Sequence, residues 1–114
     1  MLSRQSGAAG RMSATGARAF LASHPEALLL DVRNPDEWDG EYGHIEGARL
    51  IPLPELAGRA AEIEAWKEKP IVLVCRSGRR SQTAAELLAD LGYRQVINLE
   101  GGMIDWRKTE KSGP

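Results

Sequence analysis

Short apolar runs that alternate with helical periodicity constrain this chain more than any other feature. Residues 27–32 read Ala-Leu-Leu-Leu-Asp-Val, residues 71–74 read Ile-Val-Leu-Val, and residues 95–99 centre on Val96 and Ile97. Runs of this length suit strands covered on both faces; a strand with one wet face would alternate apolar and polar residues. Between and around them lie helical stripes. Ala14, Ala17, Phe20 and Leu21 mark a helix over 15–23, and Leu56, Ala60, Ile63 and Trp66 mark one opened by Pro54. Ala84, Leu87, Leu88 and Leu91 mark a third over 81–91. Pro25 stops the first, Pro70 the second and Gly92 the third. Asn34-Pro35-Asp36-Glu37 has the cap, proline and acids of a helix entry, cut short by Gly40 and Gly43. Residues 49–51 suit a brief strand and 103–108 a final helical turn or two. Strands alternating with helices predict an α/β fold, a parallel sheet with helices on both faces. In such sheets ligands bind beyond the carboxyl ends of strands.

The 114 residues fit one compact domain. The expected division is a flexible lead-in over 1–11, the domain over 12–109 and a fraying tail over 110–114. A net charge of -1 supplies no global field for nucleic acid or an anionic membrane surface, so neither is an expected partner. No apolar stretch is long enough to span a bilayer, and the first ten residues hold no signal-like apolar region. A cytoplasmic location is therefore expected. One cysteine excludes an internal disulfide, and with only His24 and His44 beside it no metal centre is expected. Nor does any motif ask for a cofactor.

That single cysteine, Cys75, stands at the carboxyl end of the 71–74 run and is followed by Arg76, Ser77, Gly78, Arg79 and Arg80. The pattern is strand, tight basic loop, helix start. Consecutive loop N–H groups can curl around the sulfur as an anion nest at a helix N-terminus, with Gly78 allowing close backbone approach. Donors and guanidinium groups both favour the thiolate, so the thiol pKa should fall. A buried structural cysteine is the plain alternative, since Cys packs as a small hydrophobe. Three arginines beside an inert thiol would have no purpose, so the reactive reading is preferred: a nucleophile that meets an anion.

Other residues are read as support. Asp31 and Arg33 end the first apolar run on one side of the strand and suit a bracing ion pair. His44, in Gly43-His44-Ile45-Glu46-Gly47-Ala48, suits a hydrogen-bonding structural role better than that of base in a Cys–His pair. Trp38, Trp66 and Trp106 read as packing residues, because no basic patch interleaves with them.

Three blocks together resemble the single-domain rhodanese family of sulfurtransferases from about residue 13 to 108. They are Leu29-Leu30-Asp31-Val32-Arg33 with 43–48, Val74-Cys75 through Ser81, and Asn98-Leu99-Glu100-Gly101-Gly102 with Trp106. The resemblance implies a five-stranded, mostly parallel sheet. It implies that Cys75 takes a sulfane sulfur from a small anionic donor such as thiosulfate, and that a thiol or a protein accepts it. In this scheme residues 76–80 bind the donor, although Arg80, at the loop's end, is the arginine expected to tie the loop to the scaffold. The segment 38–42 departs from the family pattern, being rich in Asp, Gly and Glu. Two rival readings share the fold: an idle partner-docking module, and a phosphatase or arsenate reductase. Idle copies typically lack the cysteine. The phosphatase branch carries an arginine six places after its cysteine, where this chain has Ser81, with Arg80 one place earlier.

Overall fold

The computed structural model describes residues 9–111. Five strands form one sheet: β1 (Gly10–Met12), β2 (Leu28–Asp31), β3 (Arg49–Leu50), β4 (Pro70–Val74) and β5 (Gln95–Leu99). Their order is β1-β5-β4-β2-β3, and every pairing is parallel. The helices are α1 (Ala14–Ser23), α2 (Pro35–Trp38), α3 (Leu53–Arg59), α4 (Arg79–Asp90) and α5 (Gly102–Lys111), with a 3-10 segment at Ala60–Trp66.

The three long strands are buried on both faces, as their apolar runs require. Leu28, Leu30, Ile71, Leu73 and Cys75 face one core with Leu56, Ile63, Ala84 and Leu88. Leu29, Val72, Val74 and Ile97 face the other with Ala14, Ala17, Met103 and Trp106. The alternation puts Cys75 on the α4 side, in line with Ile71 and Leu73.

Several boundaries differ from the sequence reading. Residues 10–11, expected in a flexible lead-in, belong to β1, whose pairing runs Gly10 with Ile97, Arg11 with Asn98 and Met12 with Leu99. Ala9, also expected in the lead-in, packs partly buried against the core, while residues 1–8 lie outside the described residues, as do 112–114 of the expected tail. Residues 110–111 extend α5. The expected single helix from Pro54 to Trp66 breaks instead: Arg59 and Ile63 have φ/ψ of -114/11 and -117/17, outside helical values. Ile63 is still buried, while Trp66 stays partly exposed and its indole donates to the Glu26 carbonyl at 3.2 Å. Leu91 leaves the α4 stripe because the helix ends at Asp90, and it is 43% exposed. No helix among the described residues is long and apolar enough to cross a membrane.

Candidate active site

Cys75 follows β4 directly and is 1% exposed. Its sulfur accepts from the Gly78 N–H at 3.1 Å and the Ser81 N–H at 3.3 Å, and lies 3.3 Å from the Ser81 hydroxyl. Two loop N–H groups thus meet the sulfur directly, and a hydroxyl joins them. Burial is the largest influence on the thiol and opposes ionisation. The Ser81 hydroxyl and the N–H groups of Ser81, Gly78 and Ser77 outweigh it, so the thiol pKa is lowered.

The loop takes this shape because two glycines let other backbone close on it. Gly78 has φ 104 and caps α4, in the left-handed region that favours glycine. Behind the loop, the Met103 N–H donates to the Cys75 carbonyl at 2.8 Å and the Ile104 N–H to the Arg76 carbonyl at 3.2 Å. The first turn of α5 therefore spends its free N–H groups on the loop. In a trans peptide the N–H points opposite the carbonyl. Turning these two carbonyls toward α5 turns the Arg76 and Ser77 N–H groups away from it, toward the open side of the loop. Gly102 permits the approach, since a Cβ there would lie 2.3 Å from the Cys75 oxygen.

Beneath the sulfur lies a polar network that sequence reasoning missed. The Asn98 amide nitrogen donates to the Gly78 carbonyl and to Gln82 Oε1, both at 3.1 Å. This fixes the amide orientation and points Oδ1 at the Ser81 hydroxyl, which donates to it. Asn98 is a buried polar residue in the otherwise apolar stretch 96–99, and that break in pattern was the available signal.

The arginines divide. Arg76 and Arg79 are exposed; Arg76 lies 5.9 Å from the Tyr42 ring centroid, and Arg79 makes no ion pair among the described residues. Arg80 instead grips Glu37 with both terminal nitrogens, at 2.7 and 2.8 Å. Chiefly through that hydrogen bonding, and against a smaller effect of burial, the Glu37 pKa falls to about 2.

The predicted supporting residues form one brace. Asp31 and Arg33, 0% and 1% exposed, pair through three side-chain contacts of 3.0, 3.2 and 2.8 Å. Arg33 also donates to the Glu37 carbonyl at 3.1 Å and the Gly43 carbonyl at 2.7 Å. Removing one partner of such a buried pair costs about 3–5 kcal/mol. His44 Nδ1 donates to the Trp38 carbonyl at 3.1 Å, and its ring stacks on Trp38 at 3.8 Å. These contacts tie His44 to the 38–44 loop rather than to Cys75. Arg107 holds the same loop from α5, donating to the Tyr42 and His44 carbonyls at 2.8 and 3.0 Å. The segment that departs from the family pattern is therefore fastened at its far end. Beside it a cavity of about 230 Å³ is lined by Arg33, Asp36, Glu37, Glu41, Tyr42 and Arg76.

Known proteins resemble this chain in sequence and in fold. The Rhodanese-like domain description matches residues 13–109. The "Uncharacterized protein YqhL" of Bacillus subtilis (strain 168) is 44% identical over 87 residues, 76% of this chain and 66% of that one. A "Sulfurtransferase" of Allochromatium vinosum is 39% identical over 88 residues, 77% of this chain and 78% of that one. The crystal structure of a rhodanese-related protein from Thermoplasma volcanium superposes with a TM-score of 0.74 at 30% identity, covering 92% of this chain and 95% of that one. The matched stretch makes up 43% of a second Bacillus subtilis relative, so relatives also carry this domain within longer chains.

Proposed function

This chain belongs to the rhodanese-like domain family of sulfurtransferases, and from that premise we propose that it moves a sulfane sulfur from thiosulfate, or a related small anionic donor, through a persulfide on Cys75. The Cys75 thiolate attacks the outer sulfur of thiosulfate. An S–S bond forms to Cys75, the outer S–S bond of the donor breaks, and sulfite leaves with its electron pair. A thiophilic acceptor, a thiol or a protein, then attacks the outer sulfur of the persulfide and Cys75 departs as thiolate.

The observation that carries this reading is the buried Cys75 sulfur facing three donors at the carboxyl end of β4. Ser81 has one hydroxyl proton and two acceptors. With the thiol protonated, S–H donates to Ser81 and Ser81 to Asn98. On ionisation the hydroxyl turns to the thiolate without a change in the backbone. Arg76 and Arg79 remain to attract the dianionic donor. The site is stocked for anion capture and leaving-group stabilisation at sulfur, and needs no cofactor for either half-reaction. A lone working thiol must also stay reduced between turnovers, which fits a cytoplasmic setting.

The phosphatase reading is weakened by the loop's end. Ser81 holds the position six after Cys75, and the nearby guanidinium is committed to Glu37. The docking-module reading has no use for a thiol with a lowered pKa. Steady-state kinetics with thiosulfate and cyanide varied together test the proposal. Parallel double-reciprocal lines are expected, with no turnover in Cys75→Ser and no release of phosphate from an aryl phosphate. Intersecting lines, or turnover surviving in Cys75→Ser, would refute the covalent scheme.

A further inference from the structure

The arginine closest to the end of the Cys75 loop is gripped by a partner on a different element. Arg80 directly precedes Ser81, whose N–H lies 3.3 Å from the sulfur. A guanidinium fork so placed matches a tetrahedral oxyanion, which it binds through two parallel charge-assisted hydrogen bonds. Glu37 takes up that geometry instead, with both carboxylate oxygens on both terminal nitrogens.

Glu37 is itself held in place. The Asn34 N–H donates to its Oε1 at 2.9 Å, and the buried Arg33 donates to its main-chain carbonyl. Arg33 in turn is fixed by Asp31. The charged groups that face Arg80 are thus Glu37 above all and, more weakly, Asp31 and the Cys75 thiolate, all of which raise its pKa.

We propose that Glu37 is a specificity-determining residue: by holding Arg80 it keeps that guanidinium out of the cup, so the cup meets anions with Arg76, Arg79 and backbone donors alone. The consequence is a site that tolerates thiosulfate, which presents a sulfur to Cys75, and binds inorganic oxyanions such as phosphate poorly. Releasing Arg80 would add a bidentate oxyanion clamp and a third positive charge, beside those of Arg76 and Arg79. The assignment rests on the sulfur-transfer reading of Cys75, and it identifies a residue outside the loop as the one that sets which anions compete.

The test uses the full chain and inorganic phosphate as the probe. Iodoacetamide alkylation of Cys75 is followed against pH, and phosphate protection against alkylation is titrated, in wild type, Glu37→Gln and Glu37→Gln/Arg80→Ala. Gln keeps an oxygen for the Asn34 N–H, so the helix entry is preserved. In Glu37→Gln, phosphate should protect at about tenfold lower concentration, the worth of one charge-assisted hydrogen bond, and the alkylation inflection should move to lower pH. The double variant should return both to wild-type values. Unchanged or weaker protection in Glu37→Gln overturns the proposal. So does a gain that persists in the double variant, because the effect would then come from the lost carboxylate and not from Arg80. Should Glu37→Gln fail to fold, Glu37→Asp, one methylene too short for the bidentate grip, must shift both readouts in the same direction. The two readings fail separately. A wild-type chain that takes up no sulfur from thiosulfate sinks sulfur transfer. Sulfur uptake with no gain of phosphate protection sinks the role given to Glu37.

Discussion

Replacing Gly102 with alanine should disable the Cys75 loop from behind. A Cβ at this position would lie 2.3 Å from the Cys75 carbonyl oxygen and 2.5 Å from the Arg76 carbonyl carbon and oxygen. Those are backbone atoms, so no side chain can swing aside. Restoring ordinary van der Waals separation takes a shift of roughly 1 Å between α5 and the loop. That shift stretches the Met103 N–H bond to Cys75, now 2.8 Å, and the Ile104 N–H bond to Arg76, now 3.2 Å, beyond useful range. Each buried group left unsatisfied costs about 1–3 kcal/mol. The φ of 56 adds about 1–2 kcal/mol for any residue with a Cβ. The expected loss is about 3–8 kcal/mol, a large share of the 5–15 kcal/mol of a typical domain. Gly47→Ala is the control, since Gly47 has φ 89 but nothing within 4 Å of the added Cβ. Thermal melting should place Gly102→Ala at least about 10 °C below Gly47→Ala, and the Cys75 alkylation inflection should move to higher pH as loop donors misalign. A Gly102→Ala protein that melts with the control and alkylates like wild type would refute the claim that α5 shapes the loop.

Three further outcomes are expected. Ser81→Ala removes the hydroxyl donor to sulfur while keeping its N–H, so the Cys75 alkylation inflection should rise toward the free-thiol value of about 8.5; an unchanged inflection would show that the hydroxyl does not serve the thiolate. Arg76→Ala and Arg79→Ala should each raise KM for thiosulfate severalfold with little change in kcat, the loss shrinking as salt rises; equal effects at all salt concentrations would assign these charges another role. Glu37, with a folded pKa of about 2 against an unfolded value near 4.3, stabilises the fold fully above about pH 5, and this contribution is lost as the pH falls from 4 toward 2; acid unfolding of Glu37→Gln should therefore be less steep over that range, and an identical acid limb would contradict it.

The strand–loop–helix around Cys75 was legible because its signals are local: an apolar run, a glycine where the chain must turn, and a helical stripe beginning just after. The Asp31–Arg33 pair was legible for the same reason, its partners standing two positions apart. Strand β1 was not, since Gly10, Arg11 and Met12 carry no strand pattern and are ordered by pairing with β5, some 87 positions away by the register of Gly10 with Ile97. The break after α3 was also hidden. Leu56, Ala60, Ile63 and Trp66 keep a helical spacing, yet burying Ile63 takes a non-helical backbone at that residue. Ser81 and Asn98 stood in the recognised blocks, but their roles were not legible, because they are hydrogen bonds across 17 positions rather than periodicity. Glu37 looked like an ordinary acid in a first helical turn, and its grip on Arg80 depends on α2 and the Cys75 loop meeting in three dimensions.

Sulfur transfer as proposed requires that Cys75 carry sulfur as a covalent persulfide. Its most direct test is the intact mass of the full chain after incubation with thiosulfate and removal of excess reagent. A gain of one sulfur atom is expected, located on Cys75, reversed by cyanide or dithiothreitol and missing in Cys75→Ser. An unchanged mass under conditions where Cys75 alkylates readily would contradict the account, because the thiolate would then be present and reactive without accepting sulfur.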